Sequence, residues 1–229
     1  MKNYIYKYEM HIHTRPCSGG GSDIRDHIDE LIQKGYSGMV VTNHFYAGDT
    51  RIDRELPWED FVDAYRQDYL YGLEYAKERD FDLLFGLEEN VGCGQEILIY
   101  GITPELIAEH PELKRASAEA FAEVVHAAGG LVYQAHPYRA RDYIRKPFPL
   151  ECLDQLDGIE VYNAGNEPEW NESARIFAEE RGIPCVAGSD GHSVASAGWA
   201  GIAVGERIGN NEELIRILKS GEYTIIVNE

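Results

Sequence analysis

The sequence predicts a single-domain α/β protein, a closed or distorted TIM-like barrel spanning residues 1–229. Three observations predict it. An apolar run followed by an amphipathic helix recurs along the chain, which implies right-handed βαβ units and a parallel sheet. About seven such strands favour a barrel over an open doubly wound sheet. The length of 229 residues, with 44% apolar and 27% charged side chains, is that of one ordinary globular domain. Such a chain buries most of its apolar surface without disulfides or structural zinc.

The elements follow in order. Tyr4 to Met10 alternates with strand period. Ile24, Ile28, Leu31 and Ile32 share a helical face, with Ser22 or Asp23 to cap the helix and Gly35 to end it. Gly38 to Thr42 is a short β-branched strand. Trp58 to Arg79 carries a helical stripe of Phe61, Tyr65, Tyr69 and Leu73. Strands follow at 82–86 and 97–100, a helix at 116–128 stopped by Gly129-Gly130, and strands at 131–135 and 158–162. A helix at 172–181, strands at 183–188 and 201–204, a helix at 211–220 capped by Asn210 or Asn211, and a strand at 223–227 complete the series. No linker, low-complexity tract or repeat interrupts it.

Forty acidic residues against twenty-one basic ones give a formal charge of -19. A field of that sign repels long nucleic acid and anionic membranes, so an anionic substrate needs metal ions or placed arginines to reverse it locally. No run approaches the ~20 apolar residues of a spanning helix, and the first residues lack the apolar core of a signal peptide. Cys17, Cys93, Cys152 and Cys185 form no CxxC pair, which points to a reduced cytoplasm.

Chemistry gathers at strand ends. His11 and His13 stand at i and i+2, so both imidazoles can reach one metal while Ile12 packs on the other face. Alone, the pair reads equally well as two structural histidines. Asp190 and His192 repeat that spacing after the strand 183–188, where Ser-Asp-Gly is also ordinary turn chemistry. His44, Glu88 and His136 follow three further strands. Five of the eight histidines and two carboxylates thus fall at the C-terminal ends of expected parallel strands. In a barrel those ends share the face where active sites sit, so a metal cluster is expected there. His27, His110 and His126 lie in helical stretches and are read as non-ligands.

The ordered set HxH, TNH, GLE, AHP and SDGH, over about Met10 to Gly205, resembles the PHP family, named for polymerase and histidinol phosphatase. The resemblance implies a distorted (β/α)7 barrel with two or three divalent metals and, mostly, phosphoester cleavage. It implies His11, His13, Glu88 and Asp190 on one metal, Glu88 bridging to a second with His136, and His44 and His192 on a third. Zinc, manganese and iron all suit such imidazole and carboxylate donors. Two positions depart from the family pattern. In Thr14-Arg15-Pro16-Cys17-Ser18-Gly19-Gly20-Gly21 the usual acidic or histidine ligand is missing. Asp23 is out of register, and Cys17 is the poorer substitute. The family's histidine before its leucine-rich strand is absent too. Glu96 stands there as the replacement ligand, or alternatively as a solvated glutamate at a strand start.

The implied function is a metal-dependent phosphoric ester hydrolase that cleaves a small phosphomonoester with metal-bound hydroxide. Asp190, His192, Glu88 and Arg139 are the candidate catalytic residues. Arg139, Arg141, Asn163 and Arg15 are the candidate substrate contacts, with Arg139 the better phosphate clamp because it follows His136 most closely. Each arginine reads alternatively as the partner of a surface acid, and Glu160 on its strand is ambiguous. The run Gly19 to Gly21 lacks a following GK[ST] and is read as a lip over the site rather than a P-loop. Histidinol phosphate, nucleotides and oligonucleotide ends all fit the residues, as do phosphodiester cleavage, amide or ester hydrolysis on the same metals, and a non-catalytic metal-binding regulatory module.

Overall fold

A computed structural model describes residues 4–17, 21–146 and 149–228. Ser18 to Gly20, part of the expected lip, lie outside the described residues. The chain runs β1 (Tyr6–Glu9), α1 (Ile24–Gln33), β2 (Gly38–Val41), α2 (Trp58–Lys77), β3 (Asp82–Gly92), β4 (Gln95–Tyr100) and α3 (Pro104–Ala108). It continues with α4 (Ala118–Ala127), β5 (Leu131–Gln134), β6 (Gly158–Asn163), α5 (Pro168–Arg181), β7 (Cys185–Gly188), β8 (Ala200–Val204), α6 (Asn211–Ser220) and β9 (Tyr223–Val227). Local chemistry accounts for the helix ends. Asp23 caps α1 by accepting from the Arg25 N–H, and Asn210 caps α6 by accepting from Glu213. Helix α5 starts earlier than its apolar pattern, because Pro168 occupies the first turn, where a missing N–H costs nothing. Among the described residues no helix is long and apolar enough to cross a membrane.

Among the described residues nine strands form one sheet in the order β7-β6-β5-β4-β3-β2-β1-β8-β9. Two parallel blocks, β1–β2–β3 and β5–β6–β7, match the expectation. The regular seven-unit parallel barrel does not describe the rest: β4 is antiparallel to both neighbours, β8 is antiparallel to β1, and β9 to β8. The reason at β4 is the length of the connection. Only Cys93 and Gly94 separate β3 from β4, both with positive φ, which makes a two-residue hairpin. A parallel crossover needs about a dozen residues. Strand β3 changes partner along its length. Residues 82–85 pair with β2, and residues from Gly86 onward pair with β4.

The sheet nearly closes beyond β1 and β7. There the Asp190 N–H donates to the His11 carbonyl at 2.8 Å, and the His13 N–H donates to the Gly191 carbonyl at 3.0 Å. Below that seam β8 takes the same edge of β1. Met10, just past β1, meets Val40, Leu84, Leu98, Tyr133 and Val186 from β2, β3, β4, β5 and β7 in one buried cluster inside the sheet. Ile12 instead joins Ile24, Ile28 and Leu31 under α1. Met10 and His11 therefore both point inward, and the strand alternation shifts phase between them. Both of their N–H groups find an acceptor in the buried Glu9 carboxylate, which also accepts from the Ser189 N–H and hydroxyl.

Gly188 lies so close to β1 that a Cβ there would stand 2.3 Å from the His11 Cβ. Replacing Gly188 by Ala is expected to cost about 1–3 kcal/mol through overpacking. The midpoint of urea unfolding measures it, and an unchanged midpoint would show that the two strands do not need this approach.

Candidate metal centre

The phase shift at Met10 and the seam to β7 set the positions of His11, His13 and Asp190. Their donor atoms, with those of Glu88, all lie within 4.8 Å of one another. The two imidazole Nε2 atoms are 3.1 Å apart. Asp190 Oδ1 is 3.0 Å from His13 Nε2 and 3.5 Å from His11 Nε2, and Glu88 Oε1 is 3.2 Å from His11 Nε2. Donors bonded at ~2.1 Å to one ion, at tetrahedral to octahedral angles, are separated by about 3.0–3.4 Å.

Glu88 also faces a second group, with His44 and Glu96. His44 Nδ1 stands 2.8 Å from Glu88 Oε2, yet the two are misaligned for a hydrogen bond, and both atoms are buried without a partner. His136 Nε2 lies 3.1 Å from Glu88 Oε1 and 3.3 Å from Glu96 Oε2. A third group is His13, His44 and His192. The three rings form a triangle, with the His13 centroid 4.3 Å from His44 and 4.1 Å from His192, and those two 5.5 Å apart. Convergent lone pairs, orphaned buried atoms and an imidazole-carboxylate donor set fit divalent cations. Glu96 reaches this face from the start of its strand because β4 runs opposite to its neighbours.

The charges show the same need for cations. Burial raises the Glu88 and Asp190 carboxyls, but His11 and His44 around the first, and Arg139 and His11 around the second, hold both well below the ordinary range. Glu96, buried beside Glu88, is pushed up to about 8. Burial works against the charged form of His44, yet Glu88 and Glu96 outweigh it and raise the imidazole to about 9. His13, buried beside His44, falls to about 3. Among the described residues the cluster thus shares its protons unevenly, as crowded carboxylates and imidazoles do without a central positive charge. His136 and Asp190 also sit at positive φ, 27° and 51°, where a non-glycine backbone is strained and persists only if its surroundings hold it.

Arg139 is paired with an acid, and that acid is Asp190. Its Nη2 donates to Asp190 Oδ2 at 2.6 Å and to Asn163 Oδ1 at 2.9 Å, and its Nε donates to Asn166 Oδ1 at 2.8 Å. Arg139, His44, Glu96, Asp190 and His192 line a cleft of about 490 Å³. The other two arginines lie apart from the cluster. Arg15 pairs with Asp23 at 2.9 Å, and Arg141 faces Glu167 at 3.9 Å beneath its contact with the Trp170 ring. Asp23, spent on its helix cap, stays out of the cluster as well. Cys17 sits behind His13, with Sγ 3.4 Å from Nδ1 and 3.3 Å from Asn43 Oδ1. Burial raises its thiol, which favours the neutral form. Of the three histidines read as non-ligands, His126 pairs with Asp157, His110 with Glu112, and His27 is buried in α1.

Two buried carboxylates support the cluster without joining it. Glu160 Oε1 accepts from His11 Nδ1 at 2.9 Å, which turns the Nε2 lone pair toward the other donors. Its Oε2 accepts from the His136 N–H at 3.0 Å and from Asn163 Nδ2 at 2.9 Å. A register shift between Glu160 and Tyr162 lets Glu160 and Asn163 meet three residues apart. Glu9 is the other, and sequence reasoning passed it over. Its signal was an acid inside an apolar-alternating run, two residues before His11.

A family model described as PHP-associated matches residues 168–223, from the start of α5 to the start of β9. A two-domain Bacteroides vulgatus protein that contains a predicted PHP-like metal-dependent phosphoesterase superposes with a TM-score of 0.69. The two are 16% identical over 97% of this chain, which spans 65% of that protein. An amidohydrolase from Chromobacterium violaceum, 16% identical, gives 0.60 over 96% of this chain and 97% of its own. The lesion-specific endonuclease EndoQ of Pyrococcus furiosus, 13% identical, gives 0.64 over 96% of this chain and 57% of its own. No curated protein matches the sequence. The family match covers residues 168–223 and the rest of the chain lies outside it. At such identities the likeness to the solved structures is one of fold.

Glu160→Gln would turn one acceptor oxygen into a donor facing the His136 N–H or the His11 ring. Metal affinity is expected to fall about 10–100-fold with the circular dichroism spectrum retained. Competition against a graded chelator series measures it, and wild-type affinity would remove Glu160 from its orienting role.

Proposed function

We propose that this chain is a metal-dependent phosphoesterase that hydrolyses a small phosphomonoester. The observation that carries the reading is the convergence of five histidines and three carboxylates beside a buried arginine on the wall of one cleft. His11, His13, Glu88 and Asp190 would hold one divalent cation, and Glu88, Glu96, His44 and His136 a second, with His192 beside them. Zinc, manganese and iron suit these donors. When bound, such cations act as Lewis acids toward a phosphoryl oxygen and lower the pKa of water.

The residues of the chain divide the remaining work. Arg139 supplies a fixed positive charge at the cleft, where the overall -19 would otherwise repel a phosphate. Asn163 and Asn166 fix the plane of that guanidinium, so a phosphate oxygen meets an oriented donor. Asp190 is held ionised and in place by Arg139. His192 is partly exposed at the cleft, where its ring can give a proton to the leaving ester oxygen or take one from water. Arg15 and Arg141 would act only at the rim, since of the three arginines Arg139 alone lines the cleft.

The similar structures include an amidohydrolase and an endonuclease, so the bond cleaved is the part of the reading to test. Phosphate release from a panel of phosphomonoesters, with metal-stripped protein resupplied with manganese or zinc, is expected to show metal-dependent turnover of one ester well above the rest. Release from none of them, with cleavage of a phosphodiester, an oligonucleotide end or an amide, would replace the phosphomonoester. Asp190→Asn is expected to lower kcat by about 100-fold or more, since it removes a placed charge and frees Arg139. Wild-type turnover in that variant would break the assignment.

A further inference from the structure

The walls of the cleft are polar, with one large ring besides the imidazoles. Tyr143 lines it beside Arg139 and Glu96, and is 57% exposed. Its hydroxyl is close enough to Arg139, Glu96 and Asp190 to feel their charges. An exposed tyrosine ring offers a flat apolar face at small entropic cost, and such faces at a polar site are contact surfaces.

The backbone that carries this ring is held. The Arg145 N–H donates to the Cys93 carbonyl at 2.8 Å, and the Ile144 N–H to the Arg141 carbonyl at 2.9 Å. Gly94, at the tip of the β3–β4 hairpin, lies against it. A Cβ there would stand 2.6 Å from the Tyr143 carbonyl oxygen, and φ is +77°. The same hairpin delivers Glu96 to the metal residues. Ring and donors therefore keep a set spacing. Arg139 and Tyr143 line the same cleft, close enough to interact, so the organic part of an ester whose phosphate meets the guanidinium is within reach of the ring.

Resting on the phosphoesterase reading for the site, we propose that Tyr143 is a stacking platform and that the substrates are phosphate esters whose organic part carries a planar ring, aryl or nucleoside-like, lying on Tyr143. The hydroxyl of Tyr143 is not needed for this role, whereas its ring is.

Binding of phenylphosphonate and of methylphosphonate to the metal-loaded protein, by titration calorimetry, tests it without turnover. Wild type is expected to bind phenylphosphonate roughly 5-fold to 100-fold more tightly. Tyr143→Ala should abolish that preference and leave methylphosphonate unchanged, and Tyr143→Phe should keep it. Equal binding of the two phosphonates, binding of neither, or a preference that survives in Tyr143→Ala overturns the proposal. So does a loss in Tyr143→Phe as large as in Tyr143→Ala, which would assign the effect to the hydroxyl. Hydrolysis of phenyl phosphate reads the reaction separately. Ring-dependent phosphonate binding with no phosphate release would keep Tyr143 in its role and remove the phosphoesterase.

Discussion

The seam between the ends of β1 and β7 is the contact on which the rest depends. Two backbone hydrogen bonds join His11 and His13 to Asp190 and Gly191, residues almost the whole chain apart. They bring the first and last donor segments of the sequence to one point. The seam requires a phase shift in β1, a glycine at position 188 and an acceptor for the N–H groups that the shift releases. Glu9 is that acceptor, and its bonds to Ser189 tie it to the opposite strand. A carboxylate with this many donors is well satisfied, yet burial still pushes it up to about 7.

The centre is built in shells of opposite character. The inner shell crowds carboxylates and imidazoles at distances that cations would relieve. The outer shell, Glu160 with Asn163 and Asn166, consists of groups whose hydrogen bonds are already complete. Arg139 joins the two, bonding to Asp190 inside and to both asparagines outside. The outer shell fixes ring orientations and tautomers, so the inner one is preorganised. The strained backbone of His136 and Asp190 falls where both shells hold it.

The charge of the chain acts at a different scale. A total of -19 describes the field far from the molecule. Within the cleft the carboxylates add to that charge and Arg139 opposes it, as would cations on the donors, and screening over about 8–10 Å separates the two regimes.

Much of this was legible in the residues themselves. Strand and helix periods, Asp23 and Asn210 as caps, and the positions of His11, His13, His44, Glu88, His136, Asp190 and His192 beside apolar runs depend on local chemistry, which the sequence states directly. The direction of β4 was written in Gly92-Cys93-Gly94, but a turn signal of two residues is weak beside the strong βαβ rhythm around it. The roles of Glu9 and Glu160 were not legible, because a buried carboxylate and a solvated one look alike until the donors around it are known. The pairing of Arg139 with Asp190, the orphaned atoms of His44 and Glu88, and the exposure of Tyr143 come from contacts between distant segments. By itself the sequence determined which residues could bind metal and which elements carry them. Only the tertiary structure decided which of those donors meet, because closure of the sheet, and not spacing along the chain, sets the distances between strand ends.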